Sequence, residues 1–212
     1  IVRLDAGSFE TMDTPSDGNV LGIWGASEMD LWAVGALDER SFVWRLEGGR
    51  WIEIGDELAQ STPFFGVAGR SRSDVWFAGT SGRMLHWDGD AFTAIDVDEE
   101  VLISVRCSAD LCAAAGGFAG TILENPGGLE WKIASKVENP LLGLSLSADG
   151  SGYAVGFDEI LVRDAGEWRL DRKVSETLIG VWGDRSGEAW AVGGSILTYP
   201  LISGVLMHRE PK

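Results

Sequence analysis

The sequence predicts an all-β protein, a five-bladed β-propeller of four-stranded antiparallel blades, and three observations carry this prediction. A short apolar pentad recurs along the 212 residues in steps of 44, 38, 39 and 37. The chain contains 29 glycines and 10 tryptophans, which is typical of many short strands joined by tight turns. A repeat of about 40 residues without helical apolar periodicity is typical of propeller blades.

The first two strands of each predicted blade, a and b, are the best defined. Strand a is the pentad, with a small residue in second place, and its five copies are residues 21–25, 65–69, 103–107, 142–146 and 179–183. Strand b follows a polar turn and ends in glycine, and its copies are residues 31–35, 75–79, 111–116, 152–156 and 189–193. The closing glycine is expected because a tight turn needs a residue that accepts positive φ.

Strands c and d complete each blade. Strand c is predicted at residues 42–46, 83–87, 121–124, 160–163 and 204–208. Strand d begins at an aromatic residue, and four copies follow their blades, at Trp51, Phe92, Trp131 and Trp168. The single domain 1–212 then divides into blades at about 20–58, 63–97, 101–136, 140–173 and 177–210.

The fifth blade lacks a strand d downstream, and the N-terminus offers one. Residues 6–10 match residues 165–169, so residues 1–15 are predicted to close the ring by adding strand d to the last blade. Closure of this kind removes the open edge between first and last blades. However, Ile1–Leu4 resembles a surplus strand c, which leaves open a part of a six- or seven-bladed ring. The chain begins at Ile1 without methionine, so that residue is either a mature N-terminus or an internal one.

These repeats resemble a known group of propellers. The Gly-Ile/Val-Trp-Gly pentads, the Trp-Ala-Val-Gly strands and the segment Met84–Gly89 resemble a repeat of secreted and cell-surface bacterial propellers. They are more distantly similar to the Asp-box propellers of the sialidase type and to photosystem II assembly-factor propellers. Residues 164–168 keep the Asp, Gly and Trp of the Asp-box but lack its Ser and Thr. The resemblance implies a propeller fold, and in that superfamily the box stabilises a turn rather than indicating glycosidase activity.

Charge and hydropathy narrow the class of partner. The net charge of −16 repels nucleic acid backbones and anionic lipid. No apolar run reaches the length of about 18 to 20 residues that a membrane span needs. The predicted partner is therefore a protein or a glycan, with no nucleic acid and no membrane insertion, while the oligomeric state stays open.

Two cysteines, Cys107 and Cys112, lie on facing strands of one predicted hairpin. The equivalent sites in other repeats are taken to be Gly25, Gly69 and Gly183 for the first, and Trp32, Trp76 and Trp190 for the second. A disulfide across the hairpin is the favoured interpretation, and two buried thiols are the alternative. A zinc site is not expected because the only histidines, His86 and His208, belong to other repeats. A disulfide favours an extracellular, cell-surface or periplasmic location.

Two tryptophans are candidates for contact with a ligand. Trp24 and Trp182 occupy equivalent places in strands a, and in a closed ring of five their blades are neighbours. They form an aromatic wall for a sugar or a peptide, or they wedge adjacent blades together, and packing is favoured.

Recurrent polar residues have structural interpretations as well. Carboxylates precede strand b in four repeats, at Asp30, Asp74, Asp110 and Glu188, and two serines, Ser27 and Ser71, lie just before the first two. Turn capping explains them better than catalysis or calcium binding. The acidic run Asp96, Asp98, Glu99 and Glu100 is interpreted as a solvated connection.

Three functions are compatible with these features. The favoured one is a non-enzymatic, secreted or surface-exposed binding or protein-interaction propeller. A carbohydrate-binding, lectin-type propeller is the alternative. A sialidase-like glycoside hydrolase is favoured least, because no unique constellation of catalytic residues stands out. The sequence indicates no cofactor, no metal site and no catalytic residue.

Overall fold

The computed structural model describes residues 1–37, 40–54, 63–97, 101–195 and 203–211. These residues form 21 short β-strands and one 3-10 turn at Thr80–Gly82. The strands are organised as six antiparallel sheets, of which four are four-stranded. The all-β prediction is confirmed. Within the described ranges, no helix is long and apolar enough to cross a membrane.

Five of the sheets follow the sequence repeats and are called sheets 1 to 5 in chain order. Sheet 1 contains β3 (Asn19–Ser27), β4 (Asp30–Leu37), β5 (Arg40–Glu47) and β6 (Arg50–Glu53). Sheet 2 contains β7 (Phe64–Ser71), β8 (Asp74–Gly79), β9 (Arg83–Trp87) and β10 (Phe92–Asp96). Sheet 3 contains β11 (Leu102–Cys107), β12 (Cys112–Gly116), β13 (Thr121–Asn125) and β14 (Lys132–Lys136).

The last two repeats differ in strand number. Sheet 4 contains β15 (Leu141–Leu146), β16 (Gly152–Gly156), β17 (Glu159–Asp164) and β18 (Glu167–Lys173). Sheet 5 has three strands, β19 (Leu178–Gly183), β20 (Ala189–Gly194) and β21 (Gly204–Arg209). The sixth sheet is an N-terminal hairpin of β1 (Val2–Asp5) and β2 (Ser8–Thr11), called hairpin β1–β2.

The core lies between neighbouring sheets, face to face. Side chains alternate along each strand, so a sheet that lies between two others buries one set of residues against the preceding sheet and the other against the following one. Between sheets 1 and 2, Trp32 packs edge-on against Phe77 with ring centroids 5.3 Å apart. Between sheets 2 and 3, Trp76 packs edge-on against Trp131 at 5.0 Å. The recurrent aromatic residues therefore join adjacent sheets.

The predicted ring closure is not what the structure shows. The segment that resembles strand d, now β2, pairs with β1 instead of β21, with Leu4 opposite Phe9 and Asp5 opposite Ser8. The reason is local: Ala6 and Gly7 take positive φ of 45° and 84°, which makes the two-residue turn that joins consecutive strands. Within the described strands, β3 packs against β7 but forms no comparable interface with β19. A closed five-blade ring is therefore not confirmed.

Hairpin β1–β2 lies against the outer face of sheet 1. Ile1 and Met12 pack on a buried cluster that includes Trp44 and Trp51. The main chain reinforces this end of the hairpin, because Met12 N–H donates to the Ile1 carbonyl at 3.0 Å. Hairpin β1–β2 thus covers part of this face of sheet 1.

Candidate functional site

The central pocket is the feature that all five repeats build together. The inner strands β3, β7, β11, β15 and β19 each contribute residues to its wall, and its volume is about 510 Å³. The lining side chains are mostly apolar, while main-chain atoms, Ser104 and Arg106 add polar surface; the apolar side chains include Leu21, Ile23, Phe65, Ile103, Leu142 and Ile179. Glycine in second place of a pentad lets neighbouring inner strands approach each other closely, since a Cβ at Gly66 would stand 3.0 Å from the Val105 nitrogen.

Arg106 is the single charged residue of this wall as described. Its Nη1 donates to the neighbouring Val105 carbonyl at 2.8 Å, and no carboxylate of the described chain is paired with it. Water reaches the Arg106 side chain from the pocket. The strands around it still displace part of its hydration, and this partial desolvation lowers the pKa of Arg106 from its ordinary value. A guanidinium stays charged under such conditions, so the pocket holds an uncompensated positive charge among apolar side chains.

Sequence reasoning missed Arg106, although a signal was present. It occupies the fourth place of its pentad, where the other repeats have Trp24, Ala68, Ser145 and Trp182. It is also the only charged residue in any of the five pentads. A charge placed where every equivalent residue is uncharged is unexpected from packing alone, and it could have been singled out before the structure was known.

The structure does not bring the two candidate tryptophans together. Trp24 is half-buried and packs between sheets 1 and 2, with its ring over Gly69. Trp182 lies on the far face of sheet 5 and is 55% exposed. Neither indole lines the central pocket. That these rings face a ligand stays a prediction, and a shared aromatic wall is not seen.

A second pocket, of about 860 Å³, opens at one end of sheets 1 and 2 beside Trp24. Three arginines line it, but two are already engaged: Arg45 with Asp30 at 3.3 Å, and Arg70 with Asp74 at 2.9 Å. Arg72 is exposed, and the described residues give it no ion pair. Because most of its charge is internally paired, this pocket is a weaker candidate for anion binding than the central one.

The carboxylates that precede strand b mainly bond to strand c of the same sheet. In sheet 2, the Asp74 Oδ1 lies 2.8 Å from His86 Nε2, and the His86 ring lies 4.3 Å from that of Trp76. The same group of carboxylate, basic side chain and indole recurs as Asp30, Arg45 and Trp32, and as Glu188, His208 and Trp190. Recurrence in three sheets indicates a role in holding strands b and c together, and it accounts for both histidines.

The serines of these turns are caps, as predicted. Ser27 Oγ accepts from the Met29 N–H at 3.3 Å, and Ser71 Oγ accepts from the Ser73 N–H at 3.3 Å. In the acidic run, Asp96 pairs with Arg83 at 3.1 Å, while residues 98–100 lie outside the described chain. No group of three or more His, Cys, Asp or Glu among the described residues is placed to hold a metal ion.

Cys107 and Cys112 form a disulfide, with Cα atoms 4.0 Å apart across the β11–β12 hairpin. The register corrects the equivalence drawn from sequence. Ala113 pairs with Arg106 as Trp32 pairs with Trp24, so Ala113 takes the tryptophan place, and Cys112 matches Leu31. The predicted strand b started one residue too early in this repeat because Leu111 imitates the first apolar residue of the other copies. The disulfide therefore joins the last pair of the hairpin and does not replace a packing indole.

No family model matches the chain, and none of the curated proteins matches it in sequence. Solved structures do match its fold. YCF48 bound to the D1 peptide is 18% identical with a TM-score of 0.68, over 87% of this chain and 65% of that one. YCF48 from Cyanidioschyzon merolae is 16% identical with a TM-score of 0.67, over 93% and 69%. The propeller domain of Myceliophteria thermophila Cps50 (Swd1) is 12% identical with a TM-score of 0.63, over 83% and 67%.

These similarities show a β-propeller fold, and at such identities they show the fold alone. The predicted distant relation to photosystem II assembly-factor propellers is confirmed at that level by YCF48. The chain spans about two thirds of the length of the YCF48 structures that it matches, 65% and 69%.

Proposed function

We propose that this chain is a non-enzymatic protein-interaction propeller whose central pocket receives an apolar peptide segment bearing a carboxylate. The observation that carries the proposal is the guanidinium of Arg106, which has no carboxylate partner in the described chain and lies among mostly apolar side chains. A guanidinium that has no carboxylate partner and opens onto a pocket lined by apolar side chains favours an anion that accepts from its fork of N–H donors.

The shape and lining of the pocket support a peptide as the ligand. Apolar residues from five inner strands offer surface to an apolar segment, and a guanidinium offers the fork of donors that a carboxylate accepts. YCF48, which has the same fold, has been solved bound to the D1 peptide, so a peptide is a ligand that this architecture can hold. The net charge of −16 makes a nucleic acid or an anionic membrane an unfavourable partner.

Binding without catalysis is part of the proposal. General acid–base chemistry needs at least one proton donor or acceptor poised near the reacting group. The described wall of the central pocket supplies one guanidinium and the hydroxyl of Ser104, with no carboxylate, imidazole or thiol. The histidines elsewhere are held against carboxylates and indoles of their own sheets.

The experiment uses matched peptides that differ only at the carboxylate. Short apolar peptides with a free C-terminal carboxylate are titrated calorimetrically, beside the same peptides as C-terminal amides. The carboxylate forms should bind about 10- to 100-fold more tightly, the range expected for a hydrogen bond to a charged group. Arg106→Gln should abolish that preference, and Arg72→Gln, at an exposed arginine outside the pocket, should keep it. Equal affinity of the two peptide forms contradicts the proposed role of Arg106.

A carbohydrate ligand has less support. The two indoles proposed for sugar stacking lie apart, and neither reaches the central pocket. Saturable binding on a glycan array, lost in Trp182→Ala, would favour this alternative over the peptide. A sialidase-like hydrolase has the least support, since the described pocket wall contains no pair of carboxylates.

We also propose an oxidising location, at the cell surface, outside the cell or in the periplasm. The disulfide between Cys107 and Cys112 supports it, because such bonds persist mainly in oxidising compartments. Intact mass of protein taken from its native source, alkylated without reductant, tests this proposal. Two alkylated thiols would contradict it.

A further inference from the structure

We infer that hairpin β1–β2 is the outer half of an incomplete propeller sheet, and that its free edge binds a two-stranded inner hairpin of this same repeat type. The inferred partner has the pattern of strands a and b: an apolar pentad, a polar turn and a strand ending in Gly. This surface is distinct from the central pocket.

The first support is the likeness of hairpin β1–β2 to the outer hairpin of sheet 4. In both, Asp is followed by an Ala-Gly turn with positive φ: 45° and 84° at Ala6 and Gly7, and 50° and 87° at Ala165 and Gly166. In both, the residue before the turn pairs with the residue after it, Asp5 with Ser8 and Asp164 with Glu167. β1 therefore corresponds to β17, and β2 to β18.

The second support is the unpaired edge of β1. In sheet 4, β17 pairs with β18 on one side and with β16 on the other, whereas β1 pairs only with β2 in the described sheets. In an antiparallel pair of strands, hydrogen-bonded and non-hydrogen-bonded residue pairs alternate. The bond from Met12 N–H to the Ile1 carbonyl makes Ile1 and Met12 a hydrogen-bonded pair, so Val2 and Leu4 belong to non-hydrogen-bonded pairs. The N–H groups of Val2 and Leu4 consequently point to the edge that lacks a strand. Exposed edges of this kind are sites at which another strand adds.

The third support is the apolar face that hairpin β1–β2 turns away from sheet 1. Ile1 and Met12 face sheet 1, so the alternate residues face the other way. Those residues are Val2, Leu4 and Phe9, with exposed fractions of 58%, 62% and 79%. Large apolar side chains in this number on one small hairpin are typical of a surface that another element covers.

Sheet 5, at the other end of the row of five sheets, also exposes apolar side chains, and they indicate what kind of element fits there. Trp182 and Trp190 of sheet 5 correspond to Trp24 and Trp32 of sheet 1, which sheet 2 covers. On sheet 5 these two indoles are 55% and 38% exposed, and Val192 and Leu206 beside them are 44% and 63% exposed. Hairpin β1–β2 and sheet 5 thus both expose the kind of apolar surface that the other sheets use to pack on one another. An element of the same repeat is the partner that continues this interface.

The test adds the inferred partner to the full chain. A second copy of residues 141–156, the inner hairpin that pairs with β17, is fused to the C-terminus through a flexible Gly/Ser linker of about 30 residues, which spans roughly 30 Å. Amide hydrogen exchange is then read residue by residue. Exchange at Val2 and Leu4 should slow by about tenfold or more, while Phe9 and Thr11, whose N–H groups point to the outer edge of β2, should exchange as before.

The matched control is the same fusion with Ala154→Pro in the appended copy only. Proline removes the N–H that faces the partner strand, so the appended hairpin can no longer pair with β1. Equal exchange at Val2 and Leu4 in both fusions would overturn the inference, and so would protection of Phe9 and Thr11 in their place. Protection of β1 in the unfused chain that grows with protein concentration would also overturn it, because a second copy would then be the occupant.

Discussion

The indole of Trp24 in sheet 1 lies directly over Gly69 in sheet 2. A Cβ built on Gly69 would stand 2.8 Å from Cη2 of Trp24, closer than such atoms approach in proteins. The glycine that ends this pentad is therefore required by the ring of the preceding repeat, and not only by its own turn. The contact shows how neighbouring repeats specify each other across an interface.

The first prediction concerns this contact. Gly69→Ala should lower the free energy of unfolding by about 1–3 kcal/mol, because the added methyl overpacks a site closed by an indole and the Asp74 carbonyl. Gly204→Ala is the control, since a Cβ there meets only the Gly193 carbonyl at 3.9 Å. Urea denaturation measures both. A loss of similar size in the two variants would mean that the strand, and not the indole, requires glycine.

The second prediction concerns the link between sheets 3 and 4. Glu124 accepts from Arg163 Nε at 2.6 Å and from the Trp168 indole N–H at 2.7 Å, and both charged side chains are largely buried. Glu124→Gln should cost about 1–3 kcal/mol in unfolding free energy, because Arg163 loses the charge that compensates it.

A matched exposed pair provides the control for that measurement. Glu130 pairs with Lys132 at 3.5 Å, and both side chains are at least 70% exposed. Glu130→Gln should change stability by less than about 0.5 kcal/mol, as surface ion pairs do. If the two variants lose equally, burial does not strengthen the Glu124 interaction.

The third prediction is a pH dependence at Asp74. Burial raises the pKa of this carboxyl, but hydrogen bonds from His86 and Arg70, together with their charges, outweigh burial and hold the pKa below its ordinary value. A lowered folded-state pKa contributes stability that is present above about pH 4 and is lost as the pH falls through the folded value.

Asp74→Asn should therefore destabilise the protein at pH 7 and progressively less below about pH 4, where the wild-type carboxyl is protonated as well. Thermal melts of both proteins from neutral to acid pH measure the difference. Asp90→Asn, at an exposed residue of the next turn, should leave the profile unchanged. A gap between Asp74→Asn and wild type that stays constant with pH would contradict the assignment.

The fourth prediction concerns the disulfide. The bond closes a short loop, with a sequence separation of 5, so its loss should cost no more than about 2 kcal/mol. Cys107→Ser with Cys112→Ser should fold and melt at a lower temperature, and reductant should lower the melting temperature of wild type but not of this variant. A reductant effect on the double variant would show that something other than the disulfide responds.

The repeats and most strands could be predicted from sequence because their signals are local. A strand such as β9 coincides with its prediction, Arg83–Trp87, since its alternating pattern and flanking glycines lie within a few residues. The register of β12 could not be predicted in the same way. Leu111 and Cys112 both suit the start of a strand, and only pairing with β11 decides between them.

The candidate site was harder to predict, because it depends on neighbours that are distant in sequence. Arg106 is visible in the sequence as an odd charge in an apolar pentad, but its isolation depends on which strands surround the axis. Trp24 and Trp182 look equivalent in sequence. Trp24 is packed and Trp182 is exposed because, among the described sheets, one follows sheet 1 and covers this face, whereas none covers it on sheet 5.

By itself, the sequence determined the all-β class, the repeat of about 40 residues, the turns and the placement of the two cysteines on one hairpin, because each depends on residues close along the chain. The local turn at Ala6 and Gly7 also sets the pairing of residues 8–11 with residues 2–5. The tertiary structure alone decided that the five sheets do not close into a ring, and that Arg106 stands in the central pocket without a carboxylate partner among the described residues. The physical reason is that a strand's edge, a sheet's face and an unpaired charge are each satisfied by whichever element packs beside them. That element is set by the three-dimensional arrangement, whereas strand propensity and turn chemistry are set by the local sequence.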